Sequence, residues 1–280
     1  MKIALGTVQW GLDYGISNSS GIPSDEEINS ILTKAYKNDI CVFDTAANYG
    51  NSELRLGATS YRNRKVITKV GELNGKTLEN ALQLSLGRLK INNVYGYLFH
   101  KPKILFNNKN LWRQMKKLKK IGLTQNIGFS LYEPNELETL LNKNMIPDIV
   151  QIPYSLLDRK FESYISSLKS MGVEIHVRSV LLQGLYFKKI SELGGKFKSL
   201  KIGFMQLNSI RKKYNYSILD LALGFVKQNK SIDYIVLGIE TKAQLEAILN
   251  SYRLDLSEEI FEEIKKIKVD NTFILNPVNW

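Results

Sequence analysis

The chain is poor in the residues that hold disulfide scaffolds and metal clusters together. Of its 280 residues, Cys41 is the only cysteine, and His100 and His176 are the only histidines. One thiol cannot close an internal disulfide or build a cysteine-rich metal site, so a reducing compartment and no resident metal are expected. Long apolar runs are also missing, since nothing approaches the roughly 18 to 20 apolar residues that cross a bilayer. Met1-Lys2-Ile3-Ala4-Leu5-Gly6 enters a strand pattern directly, with no apolar region and small-residue cleavage site behind it. Export is therefore not expected, and the cytoplasm is the expected location. No internal repeat, low-complexity tract or linker divides the chain, so one domain spanning residues 1–280 is expected.

What is present suits a folded α/β protein. A hydrophobic content of 44% against 24% charged residues is enough to bury a sizeable core and argues against disorder. The length fits one barrel of eight strand-helix units, which takes roughly 250 residues. A formal charge of +12 favours anionic partners, either nucleic acid or phosphorylated small molecules. The densest basic runs are Lys116–Lys120 and the segment 188–201. The first follows a helical pattern with Leu111, Met115 and Leu118 on one side, so its lysines read as a solvated face. No nucleic-acid motif accompanies them, and neither nucleic acid nor a membrane is an expected partner.

Short apolar runs alternate with helical patterns from end to end, which argues for a parallel sheet with right-handed crossovers. Eight strands are predicted near 2–6, 40–45, 65–69, 94–99, 126–130, 148–152, 173–178 and 233–238. Helical spacing covers 24–38, 77–89, 109–120, 133–141, 161–171, 218–229 and 257–268. A closed (β/α)₈ barrel, the TIM barrel, follows. Ser24 with Asp25, Glu26 and Glu27 marks a capped helix start. Gly122 and Gly172 stand where left-handed C-terminal caps need glycine. The tail 271–280, ending in Trp280, either folds over the barrel mouth or packs against the outer helices.

The chemistry concentrates in Phe43-Asp44-Thr45-Ala46-Ala47-Asn48-Tyr49-Gly50-Asn51-Ser52-Glu53, a buried strand that turns at Gly50 and resumes as a helix. Asp44 interrupts the apolar run at its carboxyl end, where a carboxylate needs a cation. Tyr49 follows after a short loop that returns its phenol over the same strand end. Lys69 closes the run from Lys65, and His100 closes Val94–Phe99. In a barrel the carboxyl ends of the strands form the active face, so these four positions are candidates. His176 lies inside its strand and reads as structural.

Asp44, Tyr49, Lys69 and His100 at three successive strand ends resemble the catalytic tetrad of the aldo-keto reductases. Phe-Asp-Thr-Ala, Tyr-Gly-Asn-Ser-Glu, Ile-Thr-Lys and Leu-Phe-His carry the likeness. It implies an oxidoreductase that reduces a carbonyl to an alcohol with a nicotinamide, because no side chain donates hydride. In that scheme Tyr49 is the general acid and Lys69 lowers its pKa from near ~10. Asp44 keeps Lys69 charged and oriented, and His100 binds the substrate carbonyl.

The resemblance further implies that Ser130 and Gln151 hold the nicotinamide carboxamide, with Leu131 where the family often has Asn. Arg178 replaces an aromatic residue that stacks on the nicotinamide. Ser179, Leu181 and Gly184 follow in the turn near the pyrophosphate. The loop 188–201 either clamps phosphates or is an exposed insertion. Gly238, Glu240, Thr241 and Gln244 match the last phosphate-binding turn in part, with Gly238 and the following helix N-terminus suited to an anion. Glu240 stands where many relatives have a cation for the adenosine ribose phosphate, while Ala247 and Ile248 replace a common Glu-Asn pair. NADPH is expected from family habit, with NADH admitted by Glu240. Trp10, Tyr49 and His100 are expected at the substrate.

The expected substrate is a small carbonyl compound, polyhydroxylated and anionic, with a sugar or nucleotide-linked sugar first, which would place the chain in carbohydrate metabolism. Arg178, Lys101 and the Arg159-Lys160 pair, converging on the barrel mouth, motivate that choice. The rival reading is a nicotinamide-binding regulatory barrel subunit without significant turnover, against which the intact tetrad argues.

Overall fold

The computed structural model describes residues 1–61 and 64–280. Eight parallel strands run β1 Lys2–Gly6, β2 Val42–Asp44, β3 Lys65–Val70, β4 Val94–Phe99, β5 Thr124–Ser130, β6 Ile149–Pro153, β7 Glu174–Arg178 and β8 Tyr234–Gly238. They pair in that order, and β8 closes on β1, from Lys2 opposite Tyr234 to Gly6 opposite Gly238. The expected (β/α)₈ barrel is the fold observed.

Strict alternation of side chains across each strand explains why the runs are apolar at nearly every position. Ala4, Val42, Ile67, Leu98, Ile149 and Val236 point inward and pack as one cluster in the barrel axis. Their neighbours Leu5, Phe43, Val66, Phe99, Val150 and Leu237 join the outer layer, which the helices cover with Ile28, Ile31, Leu82 and Leu86. Each such side chain, fully buried, contributes roughly 1.5–3 kcal/mol relative to exposure.

The helix Asp25–Tyr36 starts where the sequence marks it: the Ser24 side chain accepts from Glu27 N, and three acids occupy the first turn. Gly122 and Gly172 take φ of +80° and +79° behind the helices Lys109–Lys120 and Glu162–Ser170. Strand β2 is shorter than expected, and β5 begins two residues earlier. Most of the segment 188–201 is exposed, in line with the second of its two expected readings. It forms two short 3₁₀ turns pinned by buried Leu193 and Leu200, and it leads into the helix Lys201–Tyr214. The C-terminal tail packs on this segment, with the Trp280 ring edge-on to Phe197 and its indole donating to Ile274 O. Among the described residues, no helix is long and apolar enough to cross a membrane.

Candidate active site

Above the apolar cluster, the carboxyl ends of the strands build a buried polar layer. Asp44 ends β2, and Lys69 is the penultimate residue of β3. Lys69 is fully buried and Asp44 is 4% exposed. Lys69 Nζ donates to Asp44 Oδ2 at 2.6 Å and to Thr45 O at 2.9 Å. The second carboxylate oxygen accepts from Gln151 Nε2 at 2.7 Å, and Gln151 Oε1 lies 3.4 Å from Ser130 Oγ. The strand register brings these together, since Ser130 stands opposite Gln151 across β5 and β6. Burial pulls the Lys69 ammonium below its usual range, against the pull of Asp44.

Tyr49 reaches this layer from the turn after β2, with Lys69 Nζ 5.1 Å from its ring centroid. The sequence led us to expect a phenol made more acidic by that lysine. The structure gives the opposite direction: burial first, and the Asp44 carboxylate second, push Tyr49 well above its ordinary value. Lys69 is drawn onto Asp44, so its charge does not offset burial and the neighbouring carboxylate, and the phenol keeps its proton. A protonated phenol at this position can donate to a carbonyl oxygen.

His100 follows β4 and stands edge-on to Tyr49, with ring centroids 5.5 Å apart. Burial, with Lys69, Arg178 and Lys101 nearby, pulls its pKa down to about 3, so the imidazole is neutral. Its Nδ1 lies 3.0 Å from Asn48 Oδ1. A carbonyl oxygen there holds the proton on Nδ1, whereas a turned Asn48 amide would leave Nε2 protonated and able to donate to a substrate.

A cavity of about 460 Å³ opens over Asp44, Tyr49 and Gln151. Arg178, Ser179, Leu181, Gly184, Gly238, Glu240 and Gln244 line it, as do Ala247 and Ile248. Lys69, Ser130 and His100 adjoin this lining through the contacts above. Thr241 stands back from the cavity and caps the helix Lys242–Tyr252 by accepting from Gln244 N. Trp10 is not brought to the site: it is fully buried, with its indole donating to Ile239 O at 3.1 Å. Nor do the other cations converge on the mouth. Arg159 donates to the carbonyls of Ile264 and Ile267, Lys160 pairs with Glu133, and Lys101 lies outside the lining.

The sequence does not single out Gln9, Tyr14, Tyr132 or Gln183, all of which line the cavity, Gln9 and Gln183 from short 3₁₀ turns and the two tyrosines from loops. Gln183 Nε2 donates to Tyr14 Oη at 2.6 Å, and Gln183 O accepts from Ile16 N, so the loop after β1 is tied to the loop after β7.

The volume suits a ligand site, for which about 300–1,000 Å³ is usual. Two glycines make room along it. A Cβ on Gly238 would lie 2.2 Å from Gln9 Nε2, and one on Gly184, whose φ is +87°, would lie 1.7 Å from Ser17 Oγ. Gln9 Oε1 is buried without a partner at the same place. An elongated polar cofactor therefore fits here, with amide groups of Gln151 and Gln9 at hand and a helix N-terminus beside Gly238.

The family model for the aldo/keto reductase family matches residues 2–269. The chain is 23% identical to the NADH-specific methylglyoxal reductase of Escherichia coli, covering 92% of this chain and 91% of that protein. It is 25% identical to the glyoxal reductase of Bacillus subtilis, covering 91% and 89%. Among solved structures, the holo form of the aldo-keto reductase AKR11C1 from Bacillus halodurans superposes with a TM-score of 0.77 at 21% identity, over 95% of this chain and 91% of that one. The chain belongs to the aldo/keto reductase family, and with it to the NAD(P)H-dependent oxidoreductases.

Proposed function

We propose that the cavity over Asp44, Tyr49 and Gln151 is the place where a small carbonyl compound is reduced to an alcohol. The observation that carries this reading is Tyr49, protonated and beside neutral His100, over the buried Lys69–Asp44 pair. A bound nicotinamide would supply the hydride. Ser130 and Gln151 would hold its carboxamide, and Ser179, Leu181, Gly184, Gly238 and Gln244 would line its length. Tyr49 would give its proton to the carbonyl oxygen as negative charge develops there. The Lys69 ammonium would then stabilise the phenolate left behind, at the moment when that charge exists and not before. His100 would orient the carbonyl. The cytoplasm suits the single free thiol.

The cofactor itself is NADPH or NADH. The helix N-terminus beside Gly238 is already supplied with carboxylates and an amide oxygen. Lys242 N donates to Glu27 Oε1 at 2.5 Å, and Glu240 N donates to Gln244 Oε1 at 2.8 Å. Such surroundings weigh against an added phosphate and toward NADH. Methylglyoxal and glyoxal, named for two relatives, are the first carbonyls to try. A sugar carbonyl is our preferred class, because the hydroxyls and amide of Tyr14, Tyr132 and Gln183 line the cavity. Titration of nicotinamide fluorescence with both cofactors, followed by cofactor oxidation against these carbonyls, tests the reading. Tight cofactor binding with no oxidation by any of them would point to a regulatory barrel instead.

A further inference from the structure

Arg178 alone carries positive charge among the residues that line the cavity. Its guanidinium lies 4.2 Å from the centroid of the Tyr132 ring, donates to Leu131 O at 2.8 Å and to Ser179 Oγ at 3.2 Å. Both acceptors are neutral, and a guanidinium has five N–H donors, so three are left over. Neither carboxylate near it pairs with it: Asp44 takes Lys69 and Gln151, and Asp158, whose buried Oδ2 has no hydrogen-bond partner, lies 3.7 Å from Lys160 and feels Arg178 only from beyond ion-pair distance. Among the described residues, Arg178 has no carboxylate within ion-pair distance. A half-buried cation of this kind, held by an aromatic ring and two hydrogen bonds, is pre-organised for a planar anionic partner from outside the chain.

Its position within the cavity decides which partner. Leu131 directly follows Ser130, so Arg178 reaches from the end of β7 across to the end of β5, the side where Ser130 and Gln151 meet Asp44. The charge of Arg178 is felt at Tyr49, Tyr14 and His100. The features suited to the far end of a dinucleotide, Gly238, Glu240 and Gln244, come from β8 and the turn that follows it. Arg178 thus stands beside the reacting centre and not beside the nucleotide's remote end.

We propose that Arg178 binds an anionic group, a carboxylate or a phosphate, carried by the carbonyl substrate itself. The substrates are then oxo-acids or phosphorylated aldehydes and ketones. A single fork, with Arg159 and Lys160 held by other partners and Lys101 outside the cavity lining, suits one such group better than a diphosphate. The assignment rests on the reading that reduction takes place over Tyr49.

Two matched pairs test it: glyceraldehyde 3-phosphate against glyceraldehyde, and succinic semialdehyde against butanal. The wild type should favour one charged member by roughly ten- to hundredfold in kcat/KM, the range expected for hydrogen bonds to a charged group. Which pair shows it identifies phosphate or carboxylate. Arg178→Met should collapse that ratio toward one, with the cofactor dissociation constant held, and Arg178→Lys should restore part of it as a point charge without a fork. Equal preference for both members in the wild type would overturn the assignment. So would parallel losses for both members together with weakened cofactor binding, which would return Arg178 to the cofactor. If the wild type reduces none of the four, the reductase reading is what fails. Calorimetric titration with phosphate and succinate then decides separately: binding lost in Arg178→Met supports the anion site, and no binding to the wild type removes it.

Discussion

Two carboxylates occupy opposite ends of the barrel interior, and their surroundings are nearly alike. At the carboxyl end, Asp44 takes Lys69 Nζ at 2.6 Å and Gln151 Nε2 at 2.7 Å. At the amino end, Glu174 meets His176 Nε2 at 2.6 Å and takes the Tyr95 hydroxyl at 2.7 Å. The cluster of Ala4, Val42, Ile67, Leu98, Ile149 and Val236 lies in the barrel between them. Hydrogen bonding alone cannot tell these ends apart. The difference lies in what they face: Asp44 lines a cavity beside Tyr49, whereas His176 is buried against Tyr234, with ring centroids 4.7 Å apart. In a barrel of this kind, polar residues at strand carboxyl ends serve chemistry and those at the amino ends serve stability.

Tyr49→Phe should give the largest effect at the upper end. It removes one hydroxyl from a phenol that burial keeps protonated, so the fold and the cofactor dissociation constant should hold while kcat for carbonyl reduction falls by ~10²- to 10⁴-fold. Steady-state turnover of any carbonyl that the wild type reduces provides the measurement, and near-normal turnover would remove Tyr49 from the mechanism.

Lys69→Met breaks the upper pair in a different way, because Asp44 would stay buried with only Gln151 as a partner. Leaving one partner of a buried pair uncompensated costs on the order of 3–5 kcal/mol, so denaturant titration should show a large loss of stability as well as of activity. Adding Asp44→Asn should recover part of that stability without recovering turnover. No recovery in the double variant would mean that the charge left on Asp44 is not the source of the loss.

His176→Leu is the matching change at the lower end. Glu174 keeps Tyr95 and some access to water, and the variant also removes His176 Nδ1, a buried nitrogen with no partner. The loss should therefore sit near the lower end of about 1–3 kcal/mol, with kcat unchanged. A fall in kcat at constant stability would show that the two ends are coupled through the apolar cluster and not separate.

The sequence reveals most where local pattern and chemistry coincide. Strands buried on both faces read as short apolar runs, and Asp44, Lys69 and His100 stand out because each ends one of them. The cavity walls carry no such signal. Gln9, Tyr14, Tyr132 and Gln183 lie on strand-to-helix connections too short and irregular for periodicity, and Gln183 takes a left-handed φ of 52° in a turn that its residue type does not announce. Trp10 reads as an aromatic wall because it follows β1. Its indole is instead satisfied by Ile239, at the far end of the chain, through a contact that only barrel closure creates. The helix Lys201–Tyr214 escapes notice because Ile202 and Met205 are 68% and 56% exposed, which blurs its apolar stripe. Residue type likewise suggested that Lys69 would acidify Tyr49, but the outcome depends on how closely Asp44 holds the lysine.

The smallest effect concerns the rim of the cavity, where charge is exposed and each interaction is weak. Glu240 Oε2 accepts from Gln244 Nε2 at 2.8 Å, and the Gln244 Oε1 atom returns to Glu240 N, so the carboxylate is held at the start of the helix Lys242–Tyr252. Glu27 adds a second carboxylate on Lys242 N. An additional phosphate on the adenosine ribose would meet this negative edge and find those amides already bonded. Glu240→Arg replaces one repulsion by one attraction. Because exposed charge pairs contribute about 0.2–1 kcal/mol each, the preference for NADPH over NADH should rise by roughly two- to thirtyfold at low salt. Raising the ionic strength should shrink the gain, as it does for any screened surface charge. Fluorescence titration with both cofactors reads the ratio directly. If the two dissociation constants move together, Glu240 does not face the ribose, and the cavity's β8 side holds some other part of the cofactor.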